Sequence, residues 1–165
     1  RGVLLDVARF KGVEYLQDGY GITNADLDAT ARKQGVEVRR ADFVIVRTGQ
    51  MEDRLAKGEW GGYAGGPAPG LAFETLDWIH AKQIAGICSD TWGIEVRPNA
   101  TGPDVFQPWH WVTIPAIGIV HGEIFYLKEL AEDCAADGVY EFFFCAPPLV
   151  ITRGTGSPSN PQAIK

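Results

Sequence analysis

The stretch Val3-Leu4-Leu5-Asp6-Val7-Ala8 is apolar at nearly every position, interrupted by one carboxylate. A strand exposed on one face alternates apolar and polar residues, whereas a strand covered on both faces reads as a continuous apolar run. This segment therefore belongs in the middle of a sheet. A second run of the same kind, Asp42-Phe43-Val44-Ile45-Val46-Arg47, follows downstream. Between the two, Thr23 stands just ahead of Asp26 and precedes Leu27, Ala31 and a stop at Gly35, the pattern of a capped surface helix of about three turns. Strand, helix and strand in that order favour a parallel pair joined by a right-handed crossover, so the chain reads as α/β.

Working outward, the segment from Thr48 to Gly70 is rich in glycine, with Pro67, Pro69, Trp60 and Tyr63 among them. It is too long for a simple connection and reads as an irregular, function-bearing loop. Leu71, Leu76, Trp78 and Ile79 allow a helix after Pro69-Gly70, and a short strand, Ile84 to Cys88, ends at Ser89-Asp90-Thr91. Residues just past the carboxyl end of such a strand line the ligand crevice of an open α/β sheet. A third strand is predicted over Ile117 to Val120, a helix over Leu127 to Ala136 stopped by Asp137-Gly138, and a fourth strand over Val139 to Cys145, closing at Pro147-Pro148. The last dozen residues are turn-rich, and no internal repeat is present.

The chain has 165 residues, which suits one domain, and its 45% hydrophobic and 22% charged residues are ordinary globular usage. Net charge is −6, with Lys and Arg scattered rather than striped, so nucleic acid is not an expected partner. Cys88, Cys134 and Cys145 are odd in number and lack CxxC spacing, which argues against a disulfide framework and a cysteine zinc site. A reducing, cytoplasmic location is expected. No run approaches the roughly 20 apolar residues that span a bilayer, so no membrane association is expected. Arg1 opens directly onto the first strand without a signal-peptide layout, which points to a missing upstream portion.

The densest chemistry is Trp109-His110-Trp111 followed by His121 and Glu123. Histidine and glutamate bind zinc or manganese and also work as acid and base, and Glu123 lies just past an apolar strand. The bland alternative is a histidine packed and hydrogen-bonded between aromatic rings. Asp90-Thr91-Trp92-Gly93-Ile94-Glu95 is the second candidate, pairing carboxylates with a hydroxyl at a strand end, against an Asx-type turn in which Asp90 only bonds backbone amides. Gly154-Thr155-Gly156-Ser157-Pro158 lacks the lysine of a phosphate loop and reads as a tight turn. His80 sits among helical residues as a surface or core histidine. With no GxSxG, HExxH or GxGxxG, the serine hydrolase, zincin and dinucleotide readings have no support.

In order along the chain, Gly2-Val3-Leu4-Leu5-Asp6-Val7-Ala8, Ile22-Thr23 with Asp26-Leu27, Val44-Ile45-Val46-Arg47-Thr48-Gly49, Asp90-Thr91-Trp92-Gly93, Gly122-Glu123 and the tail from Tyr140-Glu141-Phe142 to Gly156-Ser157-Pro158 resemble successive motifs of the cyclase family of metal-dependent hydrolases, the kynurenine formamidase and isatin hydrolase type. The resemblance covers nearly the whole chain and corresponds to the C-terminal half of the family. It implies a swivelling β/β/α-type mixed sheet with flanking helices, an incomplete domain in which residues 1–165 are the C-terminal part of a single cyclase-family domain. It also implies metal-dependent hydrolysis of an amide, lactam or lactone bond in a small aryl substrate, with Mn or Zn as cofactor, in a homo-oligomer, dimer or tetramer.

The family's HxGTHxDxxxH metal motif belongs to its N-terminal half and is absent here, so the activity would need a half that this chain does not contain. A later His and Glu complete the site in formamidase members. His110 and Glu123 are the positions that match, with a spacing one residue longer than the family's, and His121 is a competing ligand. His110 would also be the catalytic histidine, and Asp90, Trp92 and Trp111 would contact substrate, the tryptophans with Trp60 and Trp109 offering a flat apolar pocket. The alternative function is a metal-free family member that serves as a non-catalytic binding or assembly subunit.

Overall fold

In a computed structural model of the chain, which describes residues 1–102 and 104–165, the two apolar runs form β1 (Gly2–Asp6) and β3 (Phe43–Arg47), side by side and parallel. Leu4 stands opposite Ile45 and Asp6 opposite Arg47. β5 (Gly86–Ser89) extends the parallel sheet beyond β3, and β6 (Val120–Gly122) extends it beyond β5. On the other side β7 (Glu141–Cys145) runs antiparallel to β1 and β8 (Gln162–Ile164) antiparallel to β7. The six-stranded order is β6-β5-β3-β1-β7-β8. A separate parallel pair joins β2 (Gly21–Ile22) to β4 (Gly70–Leu71). The result is the expected mixed α/β sheet with flanking helices.

Continuous apolar runs are explained by burial on both faces. Side chains alternate across a strand, so Val3, Leu5, Val44, Val46 and Ile87 join one core with Leu27, Ile79 and Trp109. Leu4, Ile45 and Cys88 join the opposite core under Phe125, Leu127, Ala131, Cys134 and Phe142. Each fully buried Leu or Ile contributes on the order of 1.5–3 kcal/mol of transfer free energy, which fixes the central strands in place.

The helix read at Thr23 is α2 (Asn24–Gln34), with a reciprocal capping box between Thr23 and Asp26 and Gly35 in the left-handed conformation at its end. The helix read at Leu127 is α6 (Lys128–Asp137), closed by Gly138. The helix after Gly70 is α4 (Thr75–Lys82).

Four boundaries differ from the sequence reading. The first strand ends at Asp6, whose carboxylate accepts the backbone N–H of Arg9 and starts the short helix α1 (Val7–Phe10). Such a cap rewards a helical turn where hydrophobicity alone predicts more strand. Inside the glycine-rich stretch lies α3 (Gln50–Lys57), bracketed by Gly49 and Gly58 with φ of 81° and 70°, so these glycines delimit a helix rather than dissolve one. The predicted strand at Ile117 begins only at Val120, because α5 (Pro108–Val112) continues into a π-helical turn over Thr113–Ile117 that ends at Gly118. The tail contributes β8, which pairs Ile164 with Phe143. No helix among the described residues is long and apolar enough to cross a membrane.

Candidate metal centre

His110 is carried by α5, His121 by β6, and Glu123 by the residue just past β6. Pairing of His121 with Ile87 sets the height of β6 against β5. Beyond the strand, Phe125 N donates to Ser89 O at 3.1 Å and Ile124 N donates to Thr91 O at 3.1 Å, which holds Glu123 beside the carboxyl end of β5. Gly122 makes the approach feasible, since a Cβ there would lie 2.6 Å from Cys88 Sγ and 2.7 Å from Phe125.

One donor atom from each of His110, His121 and Glu123 falls within 4.8 Å of the others. His110 Nε2 is 3.0 Å from Glu123 Oε1, and its Nδ1 is 2.7 Å from Glu95 Oε1. The two imidazoles meet edge to face with centroids 4.8 Å apart. Trp109 packs against both rings, wholly buried, and its Nε1 donates to Thr75 Oγ1 at 3.0 Å.

The two histidines are in opposite electrostatic situations. Burial lowers the pKa of His110, but hydrogen bonds to Glu123 and Glu95 more than reverse this and raise it to about 9. Burial, with the charge of His110 nearby, lowers His121 to about 4. Hydrogen bonding fixes the tautomer of His121. Thr113 Oγ1 donates its one proton to Trp109 O at 2.9 Å, so its 2.9 Å contact with His121 Nε2 is one in which the ring N–H donates. The lone pair then resides on His121 Nδ1, which is buried and has no hydrogen-bond partner among the described residues.

The structure brings His110 and Glu123 together and adds His121 and Glu95 to them. Glu95 belongs to the segment singled out in the sequence, but its link to His110 spans fifteen residues and no periodicity signals it. Asp90 is fully buried at the end of β5, where burial pushes its pKa up against the hydrogen bonds from Thr48. Its carboxylate accepts Thr48 N at 2.8 Å, Thr48 Oγ1 at 2.9 Å and Gly49 N at 2.6 Å, while Tyr63 Oη donates to its backbone carbonyl at 2.6 Å. Asp90 therefore clasps the loop after β3. Trp92 Nε1 donates to Gly66 O at 3.1 Å and its ring faces Phe106. Trp111 is 59% exposed on α5, Trp60 meets Tyr63 edge to face, and Trp109 belongs to the core. The aromatic residues thus occupy separate settings. A cavity of about 440 Å³ between α6 and the β7–β8 hairpin and a polar cleft of about 580 Å³ near Arg9, Arg47 and Lys128 are lined by other residues.

Two imidazoles and a carboxylate form a donor set suited to zinc or manganese, and His121 keeps a buried Nδ1 without a hydrogen-bond partner among the described residues. Three donors are one short of the four that a closed zinc site takes, so an ion here would draw further ligands from outside this cluster.

Residues 1–96 match the family model described as "Putative cyclase". A search of curated protein sequences finds no match. Among solved structures, a novel cyclase is 39% identical with a TM-score of 0.88, aligned over 99% of this chain and 53% of its own. An isatin hydrolase bound to the product analogue thioisatinate is 22% identical with a TM-score of 0.72, over 97% of this chain and 57% of its own. A potential metal-dependent hydrolase with cyclase activity is 20% identical with a TM-score of 0.60, over 96% and 61%. The last two likenesses establish the fold alone. The chain spans little more than half the length of these solved relatives. The family model matches more than half of the sequence, and the chain belongs to the cyclase family.

Proposed function

We propose that residues 1–165 are the C-terminal part of a single cyclase-family domain and supply part of the metal centre of a hydrolase acting on an amide, lactam or lactone bond. His110 and Glu123 would serve as ligands, joined by His121, to a zinc or manganese ion. The convergence of three donors within 4.8 Å, one of them from a histidine whose buried Nδ1 has no hydrogen-bond partner among the described residues, is the observation that carries this reading. When bound, a divalent ion supplies a Lewis acid and lowers the pKa of water from 15.7 toward about 7. The chain's own residues orient the site: Trp109 walls off both imidazoles, and Glu95 holds one face of His110. Where it is not itself a ligand, His110, held between two carboxylates, would be placed as proton donor to a leaving amine or alcohol.

The isatin hydrolase relatives support a small aryl lactam or related amide as substrate. Trp92 and Trp111 would offer flat apolar surfaces to its ring, and Asp90 would shape the adjoining wall through its hold on Thr48 and Gly49. The free cysteines fit a reducing, cytoplasmic setting. Exposed Phe143, Leu149, Val150 and Ile164 near the β7–β8 edge support assembly into a dimer or tetramer.

A second reading, a metal-free binding or assembly subunit, is favoured by one observation: both ring nitrogens of His110 already have carboxylate partners. Elemental analysis after dialysis against Zn²⁺ or Mn²⁺ separates the two. Stoichiometric metal that disappears in the His110→Ala/Glu123→Ala double variant is expected, together with hydrolysis of isatin or N-formyl aryl amides by the complete polypeptide. Equal metal uptake by both forms would sink the metal reading.

A further inference from the structure

Glu95 is 2% exposed, and its hydrogen-bond partners among the described residues include no lysine or arginine. Its carboxylate accepts Trp109 N at 3.4 Å and His110 N at 3.2 Å, and lies 2.7 Å from His110 Nδ1. A buried carboxylate is costly unless donors compensate it, and here the shortest contact is to the imidazole. The backbone beneath it is laced on both sides, since Leu71 N donates to Ile94 O at 2.9 Å and Val96 N donates to Leu71 O at 3.1 Å. The carboxylate is thus fixed before it meets the ring. An ionised carboxylate only accepts, so the 2.7 Å contact requires a proton on Nδ1. With Nδ1–H directed to Glu95, Nε2 is the atom directed at Glu123.

We infer that Glu95 is a positioning residue: it ties back the Nδ1–H of His110 and so presents Nε2 to the cluster of His121 and Glu123. The inference rests on the reading of that cluster as the working site. It assigns to Glu95 the task that a carboxylate behind a ligand histidine performs, fixing tautomer and ring orientation. The competing explanation is that Glu95 serves only the backbone N–H groups of Trp109 and His110.

The test uses the full chain and two readouts. In ¹H–¹⁵N spectra of the imidazoles, the His110 Nδ1 proton is expected as a slowly exchanging, downfield resonance that moves upfield and exchanges faster in Glu95→Gln. In a double-mutant cycle, Glu95→Gln is expected to weaken Zn²⁺ binding about tenfold, the lower end for loss of an outer-shell partner, and to have no effect in a His110→Ala background. An unchanged Nδ1 resonance, or an equal loss of affinity with and without His110, would overturn the assignment. Should wild-type chain take up no zinc, the metal reading fails, and the imidazole spectrum alone decides the role of Glu95. If Glu95→Gln does not fold, Glu95→Asp, which keeps the charge but withdraws it by one methylene, is expected to give the same change in the Nδ1 resonance.

Discussion

Asp90 and Glu95 stand on one short segment after β5, and both are almost fully buried acids. Their environments differ in what fills the oxygens. Asp90 accepts two backbone N–H groups and a hydroxyl from the loop after β3, so its oxygens are occupied in holding the chain together. Glu95 touches backbone at longer distances and an imidazole at the shortest one, and the second nitrogen of that imidazole is directed at Glu123. Burial and a carboxyl group are shared by both residues, and the identity of the donor separates scaffold from site.

The comparison breaks most visibly at Asp90. Asp90→Ala leaves Thr48 N–H, Thr48 O–H and Gly49 N–H without their acceptor, and is expected to cost about 3 kcal/mol or more of stability in urea unfolding. The folded fraction should keep its metal affinity. A folded Asp90→Ala protein of normal stability but without metal would invert the roles assigned to the two carboxylates.

The next largest effect is expected at the cluster itself. His110→Ala with Glu123→Ala should weaken Zn²⁺ or Mn²⁺ binding by more than about 100-fold, the upper end of what an outer-shell residue costs. Glu123 is partly exposed, so the loss of stability should be small beside that of Asp90→Ala. Competition with a chromophoric chelator reads the affinity, and thermal unfolding of the metal-free chain reads the stability.

Asp26 is an intermediate case, a buried acid that pairs with Lys11 and also caps α2. Burial raises its pKa, but the bonds from Lys11 and Thr23 outweigh this and hold it below the ordinary carboxylate value. A carboxyl group whose folded pKa is depressed contributes stability above its unfolded pKa of about 4 and loses it as pH falls through the folded value. Asp26→Asn is therefore expected to cost about 1 kcal/mol near neutrality and to flatten the acid limb of a stability–pH profile. An unchanged acid limb would show that the pairing contributes nothing measurable.

The smallest effects belong to the tryptophans. Trp111→Ala is expected to change stability by less than about 0.5 kcal/mol, because the side chain is mostly exposed. It should raise KM for aryl substrates of the complete polypeptide if the ring lines their pocket, and Trp92→Ala should do the same. Unchanged KM in both variants would reject the aryl pocket and leave the metal cluster unaffected.

Much of the scaffold was legible because its signals are local. Continuous apolar runs at Val3 and Val44 marked strands covered on both faces, and the Thr23, Asp26 and Gly35 pattern marked both ends of a helix. The misread boundaries share one cause, since local turn chemistry competes with hydrophobic pattern. Asp6 caps a helix within an apolar run, glycines frame α3, and a π-helical turn takes up the apolar residues before Val120. The strand β8 escaped notice because a three-residue edge strand in a turn-rich tail exists only through its pairing with β7.

By itself the sequence determined the α/β class, the central strands, the family likeness, and His110 and Glu123 as the residues to watch, because apolar runs, caps and ordered motifs act over a few residues. Tertiary structure alone decided that His121 and Glu95 join them and that Asp90 clasps a loop. Those relations join residues up to 42 positions apart, and pairing of β6 with β5 and the packing of α5 against Trp109's surroundings bring them within hydrogen-bond reach. Which atom of a histidine faces a site is set by what holds its other nitrogen, and that is a property of the folded chain.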